Sequence, residues 1–134
     1  MYFNLKSTLL LSLITVAVAS PTNSELYARK IDKDVNCGGT VIKADQIGTT
    51  YSEASKKEDN TVGNMPHTYG NAEGLFNKAT DLKEFPLLQE GVWNGRGEKG
   101  KFRVVWQKKK SKKTYKGVMY EKNVGAGMTQ CTEV

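Results

Sequence analysis

KFRVVWQKKKSKKTYKGVMYE, Lys101–Glu121, is the stretch that decides the fold. Two segments rich in β-branched and aromatic residues flank a run of lysines, the pattern of a β-hairpin with a charged tip. The two-residue period of a strand sends Phe102, Val104 and Trp106 into a core and turns Arg103, Val105 and Gln107 to the opposite face. A turn centred near Lys112 places Arg103 opposite Glu121. Lys108–Lys113, with Lys116 just beyond, has two readings. Clustered lysines attract phosphate or acidic surfaces, and they also solubilise an exposed turn. Their place between two strands favours the solvated turn.

Upstream of the hairpin lie further strand signals. HTY (residues 67–69) and LKEFPLL (82–88) read as short strands, and the Gly-rich EGVWNGRGEKG (90–100) as the connection into the hairpin. Earlier still, Ile42, Ile47 and Tyr51, joined by Ala44 and Ala54, form a helical stripe that predicts a helix over Lys43–Lys57. Gly48 within it costs about 1 kcal/mol relative to alanine, so that helix depends on packing. Leu26–Ile31 reads as a first strand. One helix followed by a series of strands gives an α+β class, with the helix packed on a twisted antiparallel sheet.

The ends of the chain bound where it works. Lys6, the apolar run Thr8–Val18 and the small-residue exit Ala17-Val18-Ala19 make a secretory leader over residues 1–19, leaving one domain over 20–134. The chain carries 20 Lys and Arg against 14 Asp and Glu, a net charge of +6. No second apolar stretch suggests a membrane anchor, and the lysines lack the apolar helix face of a membrane-active peptide. Cys37 and Cys131 are the only cysteines, so an oxidising export route makes their pairing the expectation, with two free thiols as the alternative. Neither has a second cysteine or a histidine nearby, which argues against a metal site. A secreted monomer without cofactor or metal is expected.

Four polar residues fall on successive candidate strands: His67, Glu84, Arg103 and Glu121. Phosphoryl transfer within RNA needs a base for the ribose 2′-hydroxyl, a cation for the phosphate and an acid for the departing 5′-oxygen. Glu84 suits the first task, Arg103 the second, and His67, the only histidine, assists the first. The acid has no clear candidate.

From Cys37 to Cys131 the sequence resembles the fungal guanyl-specific ribonucleases, a microbial ribonuclease fold. CGGTVIKADQI resembles the opening of their helix, PHTYGNAEG their histidine and guanine-recognition segment, and KEFPL the strand of the catalytic glutamate. GKFRVV is similar to the arginine strand, and KGVMYE to the strand that ends in a second catalytic histidine. The final cysteine stands where the family's disulfide partner does. The resemblance implies catalytic roles for His67, Glu84 and Arg103, and a guanine pocket built from Tyr69, Asn71 and Glu73, with Tyr69 stacking on the base and Glu73 accepting from its N–H groups. It also exposes departures. Glu121 stands for the second histidine, Met65 for a tyrosine, Met128 for a phenylalanine, Ala72 for the tyrosine that closes over guanine, and Ala126 for an asparagine. An ionised glutamate at 121 donates no proton and sets negative charge beside the phosphate. A general acid is worth about 10²- to 10⁴-fold in rate, so the resemblance implies impaired catalysis.

Secretion together with degraded catalytic positions also resembles the ribonuclease-like effectors of plant-pathogenic fungi of the powdery mildew type. Such a protein binds RNA or a host protein with weak or absent catalysis and is delivered into host cells. The competing expectation is an active guanyl-preferring endoribonuclease that cleaves single-stranded RNA through a 2′,3′-cyclic phosphate.

Overall fold

The computed structural model describes residues 31–58 and 60–134. The leader over 1–19 lies outside them, as does the strand expected over Leu26–Ile31 apart from Ile31 itself, which is buried in the core.

Among the described residues, eight strands and one helix follow in the order β1 (Val35–Cys37), β2 (Thr40–Ile42), α1 (Ala44–Ser55), β3 (His67–Tyr69), β4 (Leu82–Pro86), β5 (Phe102–Lys109), β6 (Lys112–Glu121), β7 (Met128–Gln130) and β8 (Thr132–Glu133). They form a five-stranded sheet, β3-β4-β5-β6-β7, and a three-stranded sheet, β2-β1-β8; every pairing within them is antiparallel. The fold is α+β, with the one helix of the described residues on the larger sheet.

The helix occupies the expected stretch, starting one residue later and ending two earlier. Lys43 at its N-cap makes no side-chain cap, and Asp34 substitutes from outside: its Oδ1 accepts the Ala44 N–H at 2.8 Å. That N–H holds the Asp34 carboxyl below its usual pKa. Ile47, Tyr51 and Ala54 are buried, as their helical spacing requires, and Tyr51 meets Trp106 of β5 edge-on at 5.8 Å between centroids. The main core also takes in Phe85, Leu87, Trp93, Phe102, Val104, Val118 and Tyr120, with Val35, Ile42, Met65 and the two cysteines. Gln46 reaches outward from the helix and donates to the carbonyls of Leu88 and Gly91 at 2.9 and 2.7 Å, tying down the loop that leads into β5. The same loop is pinned where Gly63, at φ +54°, lies so close to Gly95 that a β-carbon would sit 2.6 Å from the Gly95 carbonyl and 2.7 Å from Trp93.

The register of the β5–β6 hairpin corrects the expected pairing. The turn is the two residues Lys110–Ser111, with Lys109 opposite Lys112, so it lies nearer β5 than Lys112. A bulge then inserts Lys116, because Trp106 pairs with Tyr115 and Val105 with Gly117. Arg103 therefore lies opposite Met119, and Glu121 donates its backbone N–H to Lys101 at 2.9 Å. The face carrying Arg103, Val105 and Gln107 is itself partly covered. Val105 is fully buried in a second cluster with Tyr69, Phe76, Leu82 and Met119, under the segment 70–81 that folds over the sheet.

The lysine run is only partly a solvated tip. Lys108 pairs with Glu58 at 2.9 Å, Lys113 approaches the same carboxylate at 4.0 Å, and the Lys113 ammonium also donates to the Ser55 carbonyl at the end of α1. Glu58, only 5 % exposed, takes the indole N–H of Trp106 on its other oxygen at 2.6 Å. Lys109, Lys110 and Lys112 remain exposed.

Cys37 and Cys131 form the expected disulfide, bridging β1 to the residue between β7 and β8. Among the described residues no helix is long and apolar enough to cross a membrane.

Candidate active site

The larger sheet sets the candidate residues side by side. His67 of β3 pairs with Glu84 of β4, Glu84 with Val105 of β5, and Arg103 follows two residues back on the face of Val105. Arg103 pairs with Met119 of β6, and Glu121 comes two residues later on that face. A diagonal row thus crosses four neighbouring strands on the side of the sheet away from the helix.

Glu84 is its centre. One carboxylate oxygen lies 2.9 Å from His67 Nε2 and the other 3.6 Å from Arg103 Nε. Glu84 is 13 % exposed and His67 48 %, so the imidazole is the part of the pair that meets a ligand first. Arg103 is held from behind: its Nη1 donates to the carbonyls of Gly100, Phe102 and Lys99 at 2.8, 2.9 and 3.3 Å. With Nε at Glu84 and Nη1 in the loop, Nη2 is the edge of the guanidinium left for an anion. Burial lowers the Arg103 pKa, while Glu84 and then Glu121 act to raise it; a guanidinium stays protonated regardless.

Glu121 stands at the end of the row without an ion pair to Arg103. It accepts the Gly125 N–H on Oε2 at 3.1 Å, a bond that caps the turn between β6 and β7. Across the strand stands Lys101, whose ammonium sits 5.6 Å from the centre of the Phe102 ring.

Tyr69, Asn71 and Glu73 form a connected group beyond His67. The Tyr69 hydroxyl donates to Glu73 Oε1 at 2.6 Å, and Glu73 Oε2 accepts the Met128 N–H of β7 at 2.9 Å. The Tyr69 hydroxyl, followed by the Met128 N–H, holds the Glu73 carboxyl below its usual pKa. The phenol is pushed up, by burial first and by Glu73 second. Its ring packs edge-on against Phe76 with centroids 6.3 Å apart, so in this conformation both Tyr69 and Glu73 are satisfied by the protein itself. Asn71 works inside its own loop, donating to the carbonyls of Asn77 and Ala79 and accepting the Phe76 N–H. Its φ of 55° is one that asparagine adopts more readily than most residues.

The loop that grips Arg103 has no counterpart in the reading of the sequence. Gly100, at φ +69°, and the glycines before it were visible as a turn, but not the carbonyls that turn delivers to a side chain three residues on. Among the described residues no group of three or more His, Cys, Asp or Glu side chains could hold a metal ion.

A base, a cation and an imidazole on one face of an antiparallel sheet, backed by one helix, fit phosphoryl transfer in RNA. No curated protein matches the sequence. The sequence model of the ribonuclease family matches residues 30–132, which takes in the larger sheet, the helix and the whole row from His67 to Glu121, and the chain belongs to that family.

Proposed function

We propose that this chain is a secreted ribonuclease-like effector that engages RNA, or a host protein in its place, with catalysis impaired at the protonation of the leaving group. The observation that carries the reading is the row itself. His67, Glu84 and Arg103 converge, and the next strand contributes Glu121, a carboxylate tied to the Gly125 N–H. Glu84 is placed to remove the 2′-hydroxyl proton, and Arg103 Nη2 to meet the non-bridging phosphate oxygens. The 2′-oxygen then bonds to phosphorus as the bond to the 5′-oxygen breaks. That oxygen leaves as an alkoxide unless something protonates it, and an ionised carboxylate accepts protons rather than donating them. The secretory pattern over residues 1–19 and the resemblance to fungal effectors support the effector role.

Glu121→His tests the proposal by supplying a donor that titrates near neutral pH and removing negative charge from the phosphate side. Cleavage of guanosine-containing single-stranded RNA is expected to rise by about tenfold or more, short of the full 10²- to 10⁴-fold worth of an acid, because Met65, Ala72 and Met128 remain. Adding Glu84→Gln is expected to abolish the gain. A wild type whose cleavage Glu121→His fails to raise, or lowers, overturns the impaired-acid reading. If that wild type is also a vigorous ribonuclease, the active guanyl-preferring enzyme takes its place.

A further inference from the structure

Resting on that RNA-binding reading, we infer that the exposed part of the lysine hairpin, Lys109, Lys110 and Lys112, is a second phosphate-binding subsite for single-stranded RNA, remote from the scissile phosphate.

The fold sorts the lysine run into two sets. Lys108 and Lys113 face the helix, where Glu58 takes up their charge. Lys109 and Lys112, paired across the hairpin, alternate to the other face, and Lys110 occupies the turn between them. All three are exposed, and none forms an ion pair with a described residue. A hairpin that served only to stay in solution had no need to neutralise its inner lysines with a buried carboxylate. Here the clamp anchors the strand ends from which the outer three project.

Their position relative to Arg103 gives the proposal its content. The extra residue of the bulge belongs to β6, so β5 alternates regularly and Arg103, Val105, Gln107 and Lys109 share one face. Six residues at about 3.3 Å each set Lys109 about 20 Å from Arg103 along the strand. A stacked single strand advances about 3.4 Å per phosphate, so about six phosphates span that distance, and fewer do if the strand is extended. Between the two ends the sheet is roofed by residues 70–81, held by Gln107 donating to the Thr80 carbonyl and by the Lys108 N–H donating to Asp81. Lys78 is exposed on that roof. The tip offers lysines and Ser111 but no aromatic ring on which a base could stack, so it holds phosphates without reading sequence.

The test measures binding of fluorescent RNA oligonucleotides of about three and about twelve nucleotides across a salt series, spanning less and more than the inferred distance. Wild type is compared with a Lys109→Gln, Lys110→Asn, Lys112→Gln variant. Asparagine at 110 suits the φ of 57° there, and Lys108 and Lys113 are kept so that the clamp and the melting temperature are preserved. The long oligonucleotide is expected to bind the variant about tenfold or more weakly at 0.1 M salt, with the slope of log K against log salt reduced by about 2, that is about 0.7 for each of the lost contacts. The short one is expected to bind both proteins alike. Equal weakening of both lengths overturns the subsite in favour of long-range attraction, and an unchanged slope with the long oligonucleotide overturns it in favour of a solvated turn. If wild type binds neither oligonucleotide, the RNA reading itself fails and the subsite with it. Loss of binding to phosphatidylserine vesicles without loss on RNA reassigns the lysines to a membrane surface and overturns the proposal.

Discussion

Glu58→Ala isolates the interaction that anchors the hairpin to the helix. In the wild type the carboxylate receives the Trp106 indole N–H at 2.6 Å and the Lys108 ammonium at 2.9 Å, with Lys113 at 4.0 Å. The partners do not lose equally when it goes. Lys108 and Lys113 have side chains 30 % and 22 % exposed and can swing into water, so each forfeits only a partly screened pair. Trp106 cannot move: it is fully buried between helix and sheet, and its N–H is left without an acceptor. An orphaned buried donor costs about 1–3 kcal/mol, and with the lost ion pairs the total comes to about 2–4 kcal/mol. For a domain of this size that lowers the melting temperature by about 10–20 °C. Glu58→Gln keeps an acceptor for the indole and gives up only the charge, so its cost is expected to stay near 1 kcal/mol. Urea unfolding followed by tryptophan fluorescence gives both values. If glutamine destabilises as much as alanine, the ion pairs dominate and the argument from the indole fails; if alanine costs under 1 kcal/mol, the node is not structural at all.

Glu73 gives a prediction in pH. Its carboxyl titrates below the usual 4.5 in the folded state, so its bonds to Tyr69 and Met128 contribute stability that is full above that value and is lost as pH falls through the lowered folded pKa. Tyr69→Phe is expected to raise the Glu73 midpoint in a carboxyl NMR titration, and Glu73→Gln to flatten the acid limb of the stability curve; an unmoved midpoint in Tyr69→Phe refutes the assigned cause. Gly63→Ala is expected to destabilise by about 1–3 kcal/mol in the same urea assay, because the new methyl overlaps the Gly95 carbonyl and Trp93. A neutral result there means the loop before β5 yields more easily than its contacts indicate.

The long elements were legible because they carry periodic signals. Ile47, Tyr51 and Ala54 recur at helical spacing, and Phe102, Val104 and Trp106 alternate, so the helix, the central strands and their core face follow from the sequence alone. The hairpin register did not follow. It depends on Lys110 taking a left-handed φ of 57° without the asparagine or glycine that would announce it, and on a bulge at Lys116. Strands β1, β2, β7 and β8 are two or three residues long, too short for any period to emerge; β1, β2 and β8 hold one another in the second sheet, β7 rests on β6, and the disulfide ties β1 to the residue between β7 and β8. In the site, His67 and Glu84 could be brought together from strand order, as the register does. The carbonyl grip on Arg103, the capture of Glu73 by Met128, and Glu58 as the partner of Lys108 each join residues whose meeting is decided by the tertiary fold.

The clamp at Glu58 also divides the hairpin into a part the domain needs and a part it merely carries. Beyond the Lys108–Lys113 pair, the residues 109–112 make no bond on which the core, the disulfide or the row from His67 to Glu121 depends. They form an interchangeable cassette on a fixed socket. Its charge can drift or be rewritten wherever the residue at 110 still accepts a left-handed φ, so variants of this scaffold can change what they touch at the tip while the sheet beneath stays the same.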